Sequence, residues 1–151
     1  MHSRVRRFVK TFSDRQQYNA LGAINFKTKK VHTVTNNTYI TATEICQMLK
    51  LAASEYAGKK IHIVLDNARY QKCEIVTSLA RKLAIELVFL PSYSPNLNLI
   101  ERVWKFTKGK LRVKYYSDFG TFKDTIDSII KSADNVFKEQ IRRHSFSNQI
   151  R

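Results

Sequence analysis

Two carboxylates with 34 residues between them are the side chains of this chain best placed to do chemistry. Asp66 closes the apolar run Ile61-His62-Ile63-Val64-Leu65, and Glu101 stands early in a helical pattern that opens Leu99-Ile100-Glu101-Arg102-Val103-Trp104. Acids converging from two elements offer the hard oxygen ligands that Mg²⁺ or Mn²⁺ prefers. A pair of such cations about 3.5–4 Å apart can stabilise both the attacking and the leaving oxygen of a phosphoryl transfer. Each acid has a plainer reading as well. Asp66 could cap the Asn67-Ala68 bend, and Glu101 could favour a helix N-terminus and pair with Lys105 one turn on.

The elements around the two acids predict how they are held. Tyr18 to Phe26 reads as a short strand, in which Gly22 permits close approach of a neighbouring backbone. Lys27 to Lys30 forms a hairpin turn, and Val31 to Thr35 returns as a β-branched strand. Thr41-Ala42-Thr43-Glu44 fits a capping box at the start of a helix over 41–57, with Ile45, Met48, Leu49, Ala52 and Tyr56 as its apolar stripe and Gly58 as its stop. Ile61 to Leu65 lacks alternation, as expected of a strand buried on both faces. Ile75, Val76, Leu79, Ala80 and Leu83 trace a helix stripe, and Glu86 to Leu90 forms another strand before Pro91. Strand, helix, strand with a right-handed crossover makes those two strands parallel. Asp66 then sits at a strand's carboxyl end, where open α/β sheets place functional side chains. Leu97, Ile100, Trp104, Thr107 and Leu111 mark one face of the helix that carries Glu101. Phe119, Phe122, Ile126, Ile129, Ile130 and Ala133 mark a last helix, capped by Ser117 or Asp118. Residues 134–151 are polar and basic, and order is expected to be least there.

Charge narrows the partner. The chain carries 27 Lys plus Arg against 12 Asp plus Glu, a formal net charge of +15, with a pI near 10.0. An excess of this size in 151 residues points to a polyanion, and nucleic acid is the usual one. Lys105, Lys108, Lys110, Arg112 and Lys114 form a basic strip that runs on from Glu101, where bound DNA would lie. A solvated helix end is the plain alternative for that strip. A hydrophobic fraction of 43% argues for a folded core over disorder. No apolar run reaches the roughly 18 residues that span a bilayer, so no membrane partner is expected. Cys46 and Cys73 are the only cysteines and suit a reducing compartment. A nucleotide-binding ATPase would need a Gly-x-x-x-x-Gly-Lys-Ser/Thr loop, and none of the four glycines belongs to one.

Taken together, Leu65-Asp66-Asn67-Ala68, the 34-residue gap and Leu90-Pro91-Ser92-Tyr93-Ser94-Pro95-Asn96-Leu97-Asn98-Leu99-Ile100-Glu101-Arg102-Val103-Trp104 resemble the DDE transposases of the mariner-type superfamily, in particular its bacterial insertion-sequence branch. The likeness extends through Leu21-Gly22-Ala23-Ile24-Asn25 upstream and Trp104-Lys105-Phe106 downstream, over roughly residues 15–130. It implies an α/β, RNase H-like mixed sheet with flanking helices. It also implies Mg²⁺- or Mn²⁺-dependent cleavage and strand transfer on transposon-end and target DNA, in the bacterial cytoplasm at the nucleoid. Asp66 matches the second catalytic Asp and Glu101 the closing Glu, both as metal ligands.

The match has departures. Ser92 and Leu99 stand where Pro is common, and Gln71 where His is common. The family's first catalytic Asp ends the central strand of the sheet, upstream of Leu21-Gly22-Ala23. Here only Asp14, Glu44 and Glu55 precede Asp66 as acids, and none ends an apolar strand. The expectation is therefore a truncated catalytic part without the first strand, its Asp, or the N-terminal helix-turn-helix. Residues 1–15 are a basic N-terminal remnant, 16–134 an incomplete endonuclease domain, and 135–151 a basic C-terminal tail. Val5 to Phe12 could fill the gap in the sheet, or a homodimer could cover the open edges. The alternative function is a non-catalytic DNA-binding remnant that keeps only the basic face.

Overall fold

The computed structural model describes residues 16–92, 99–114 and 116–147. Strands β1 (Asn19–Ile24) and β2 (Val31–Asn36) form an antiparallel hairpin in which Leu21 faces Val34 and Gly22 faces Thr33. The Asn25 side chain makes the turn, accepting from the Lys27 amide at 2.8 Å and the Thr28 amide at 2.9 Å. Helix α1 (Ala42–Glu55) begins with the expected capping box. Thr41 Oγ1 accepts from the Thr43 amide at 3.2 Å, and the Glu44 carboxylate accepts from the Thr41 amide at 2.7 Å. Beyond the helix, Gly58 takes a φ of 76°, a value that favours glycine.

Strand β3 (Ile61–Leu65), helix α2 (Glu74–Lys82) and strand β4 (Ile85–Phe89) make the strand–helix–strand unit, and β3 pairs with β4 in parallel. Helices α3 (Ile100–Leu111) and α4 (Phe119–Ser147) complete the fold. Asp118 is the residue that satisfies the start of α4, accepting from the Thr121 amide at 2.7 Å.

Strand β1 is buried along its whole length and serves two cores. Tyr18, Ala20 and Ile24 pack with Ile100, Val103 and Trp104 of α3 and with Phe122, Ile126, Ile129 and Ile130 of α4. Leu21 and Ala23 pack with Ile45, Met48 and Leu49 of α1, Val76 and Ala80 of α2, and Ile63, Leu65 and Ile85 of the parallel pair. Two acids tie α4 to the hairpin. Asp127 accepts from the Tyr18 hydroxyl at 2.7 Å and Asp134 from the Val31 amide at 2.8 Å. Burial, with Asp127 beside it, pushes Tyr18 up to about 12.

The arrangement is the RNase H-like mixed α/β layout. Among the described residues the two strand pairs do not hydrogen-bond to each other. Val5 to Phe12, the sequence considered for the place between them, lies outside the described residues, as does Asp14.

Three expectations change. Strand β3 is buried on one face only, because α1 and α2 cover that face while His62 turns outward to Glu86, 3.2 Å away. Ile75 is 66% exposed and drops out of the α2 stripe, leaving Val76 and Ala80 as its buried residues. Residues 135–147, expected to belong to a tail of least order, continue α4, while residues 148–151 lie outside the described residues. No Gly or Pro interrupts residues 121–147, so nothing in the sequence stops that helix. Among the described residues no helix is long and apolar enough to cross a membrane.

Candidate active site

Asp66 is positioned by the last step of the parallel ladder. The Leu90 amide donates to the Leu65 carbonyl at 2.7 Å, so pairing runs to the residue before the acid and the chain leaves the sheet there. Asn67 follows with a φ of 81°, a left-handed conformation that Asn tolerates better than most residues. A single 3₁₀ turn, Arg69–Gln71, then leads to α2. Two side chains share the Ala68 amide. It donates to Gln71 Oε1 at 3.0 Å and to Asp66 Oδ1 at 3.4 Å. Gln71 is wholly buried. Its Nε2 and Asn67 Oδ1 are buried atoms without a hydrogen-bond partner among the described residues. Burial, reinforced by the Asp66 charge, pushes the Tyr70 hydroxyl up to about 12, so this phenol stays protonated beside the acid.

Glu101 lies in the first turn of α3, half-buried at the border of that helix's inner face. The helix is fixed by Ile100, Val103, Trp104 and Thr107, all buried. Gly22 makes this seating possible. A Cβ at residue 22 would lie 2.6 Å from Cζ2 of Trp104 and 3.0 Å from Cδ1 of Ile100. The close approach expected at Gly22 is thus made by an indole ring, not by a neighbouring backbone.

The two acids share one anchor. Leu65, next to Asp66, belongs to the core that includes Leu21 and Ala23, while Ile100, next to Glu101, packs against Gly22. Three consecutive residues of β1 therefore set the frame for both. Lys105 and Lys108 lie on Glu101's side of α3, whereas Lys110 points about half a turn away at 3.6 residues per turn, its ammonium 5.7 Å from the Phe106 ring. Arg112 is the C-cap and Lys114 lies beyond the helix. Lys72, which no sequence motif marks, is an exposed cation held 5.3 Å from the ring of Phe89 at the end of β4. Gln71, marked in the sequence only as a departure from the family's pattern, is wholly buried, which a glutamine does not signal.

Carboxylate oxygens are the donors a hard divalent cation takes, and Asp66 and Glu101 are both half-buried. Among the described residues no group of three or more His, Cys, Asp and Glu gathers in one place. Residues 93–98, which carry much of the motif before Glu101, lie outside the described residues.

Residues 3–123 match the family model described as DDE superfamily endonuclease. Over 98 residues the chain is 30% identical to the "Insertion element IS630 uncharacterized 39 kDa protein" of Shigella sonnei, covering 64% of this chain and 29% of that protein. The chain thus spans under a third of that relative's length. Among solved structures, the HTLV-2 integrase catalytic core domain in complex with magnesium is similar with a TM-score of 0.61 at 17% identity, covering 87% of this chain and 82% of that one. The catalytic domain of Mos1 mariner transposase gives 0.61 at 12% identity, covering 89% and 74%. A simian T-cell lymphotropic virus intasome chain gives 0.67 at 19% identity, covering 87% of this chain and 46% of that one.

Proposed function

Because this chain belongs to the DDE superfamily of endonucleases, we propose that it is the catalytic part of a DNA transposase, cutting DNA and joining strands with a divalent cation. The observation that carries the reading is the shared anchoring of a strand-end Asp66 and a first-turn Glu101 on residues 21–23 of β1. In this reading Asp66 and Glu101 hold the cation through their carboxylates. When bound, Mg²⁺ or Mn²⁺ supplies activation of a water or 3′-hydroxyl nucleophile and neutralises charge on the phosphate. Lys105 and Lys108, with Lys72 across the strand ends, fix the DNA backbone beside the acids. None of the acids before Asp66 matches the family's first Asp by sequence, and a form that carries upstream coding sequence would be the one to supply it. DNA ends and target DNA are the partners, and the bacterial nucleoid is the place of action. The relation to an insertion-element protein and the likeness of fold to an integrase core bound to magnesium support this reading.

Nicking of supercoiled plasmid in Mn²⁺, by the chain alone and fused to its upstream coding frame, tests it. The fused protein is expected to nick, and Asp66→Asn or Glu101→Gln in it to abolish nicking while DNA binding persists. Binding should weaken with salt, by about 0.9 in the log–log slope for each phosphate neutralised. Salt-sensitive binding with no nicking in either form would favour the binding-only alternative. Nicking that survives Asp66→Asn would overturn the site.

A further inference from the structure

We propose that the tip of the β1–β2 hairpin is a binding site for single-stranded DNA, in which the ring of Phe26 stacks on an unpaired base while Lys27, Lys29 and Lys59 hold the phosphates around it. The site does not depend on Asp66 or Glu101 holding a metal.

A lone exposed ring on a protein surface needs no explanation, but this one is set among cations. Phe26 is 74% exposed at the tip, and the Lys29 ammonium stands 4.2 Å from its ring centre. Lys27 follows it in the chain and is exposed. Residues 25–30 include three lysines and no acid. The turn after α1 adds the exposed Lys59. Tyr56 ties that turn to the hairpin, its hydroxyl 3.0 Å from His32 Nε2 and its carbonyl accepting from the Lys59 amide at 3.1 Å. The acids nearby are already engaged, Glu55 by Lys30, Glu86 by His62 and Lys60, and Asp134 by the Val31 amide. Among the described residues Lys27, Lys29 and Lys59 have no carboxylate partner, so their charge is left for a polyanion.

The tip presents these groups in a fixed arrangement. Asn25 Oδ1 accepts from the Lys27 and Thr28 amides, the Lys29 amide donates to the Asn25 carbonyl at 2.8 Å, and the Lys29 ammonium donates to the Phe26 carbonyl. Asn25 and the backbone make the turn, so the fold asks nothing of the Phe26 ring. An aromatic face beside cations is the combination that holds single strands, because bases stack on the ring and the cations track the phosphates. A duplex offers the same lysines its phosphates, but its bases already stack on one another. The place also separates this contact from the acids. Lys30 pairs with Glu55, the last residue of α1, and the chain then turns through Gly58 into β3. The tip therefore lies near the start of β3, whereas Asp66 follows its end. Five strand residues at roughly 3.3 Å each put about 16 Å between the two along the strand.

The test uses the 151-residue chain in EDTA. Binding of a fluorescein-labelled single strand of about 16 nucleotides, and of the matching duplex, is followed by anisotropy. Phe26→Leu keeps the apolar bulk without a ring face. It is expected to weaken single-strand binding about fivefold or more and to leave duplex binding as in the parent. Phe26→Trp, which keeps a ring face, should bind the single strand at least as tightly as the parent. Lys27→Gln, Lys29→Gln and Lys59→Gln combined should lower the log–log salt slope for the single strand by about 2, at about 0.7 per phosphate contact. Thermal melts matching the parent's show that each variant is folded. Phe26→Leu binding the single strand as the parent does, or losing duplex binding equally, overturns the stacking role. An unchanged salt slope in the triple variant overturns the site. If light scattering shows that Phe26→Leu dissociates an oligomer while DNA binding persists, the tip is a contact between copies of the chain and the proposal falls. With no metal present, none of these outcomes bears on whether Asp66 and Glu101 hold a cation.

Discussion

The two cores on either face of β1 are made of different materials and hold different halves of the candidate site. Beneath Glu101 the packing is dominated by large, rigid groups, with Trp104 seated in the space left by Gly22 and Phe122 and three isoleucines of α4 behind it. Beneath Asp66 it is aliphatic and distributed over two helices and two strands, with Leu49 and Val76 at its centre. An indole against a glycine has one way to fit. An aliphatic cluster can repack with small adjustments. Glu101 thus depends on a single interlock, whereas Asp66 depends on many weaker contacts and on the hydrogen bonds that leave β3.

Four substitutions or conditions break or sharpen that contrast, in decreasing order of effect. Trp104→Ala removes the interlock and is expected to cost about 3–5 kcal/mol. Chemical denaturation would read the loss, and hydrogen exchange should rise in α3 and α4 more than in α1. Leu49→Ala, in the other core, should cost about 2–5 kcal/mol with the exchange pattern reversed, α1 and α2 opening first. Equal loosening of both regions by either change would show that the cores are energetically one. Gly22→Ala adds a single methyl that meets a rigid ring and not a flexible chain end. A loss of about 1–3 kcal/mol is expected, and Gly22→Ala combined with Trp104→Phe should recover part of it in thermal melts.

The smallest effect is one of pH. Burial, aided by the nearby Lys30, lowers His32, whose Nε2 lies 3.0 Å from the Tyr56 hydroxyl. Asp134 and Glu55 face it with the opposite influence. Since the folded value is the lower one, the neutral ring's contribution is complete above the ordinary histidine value near about 6.5 and is lost as pH falls through the lowered value. A modest fall in melting temperature below that pH is expected, and His32→Gln should flatten it.

Periodicity made much of this legible. The stripe of α4 and the Thr41–Glu44 capping box needed only local spacing, and both are found where the residues predict them. The parallel pair followed from two apolar runs bracketing a helix. Errors arose where tertiary cover decides burial. Ile75 fits the α2 stripe by count yet faces solvent, and His62 marks a face of β3 that the described helices leave uncovered. The positions of Asp66 just after β3 and of Glu101 in the first turn of α3 were legible, because acids at element ends are locally recognisable. The burial of Gln71 was not legible, since a glutamine gives no local sign of it, and neither was the Gly22 socket, whose occupant arrives from a distant helix. Lys72 escaped notice for the same reason, as the ring beneath it belongs to the next strand.

The Gly22 socket has a practical consequence. Trp104 is the only tryptophan in the chain, it is 3% exposed, and it sits on the same helical turn as Glu101. Its emission is therefore an optical signal from one place in the molecule, with no label to attach and no second indole to subtract. Changes in the seating of α3, whether caused by a cation, by DNA or by a substitution in β1, will be visible as shifts in that single spectrum.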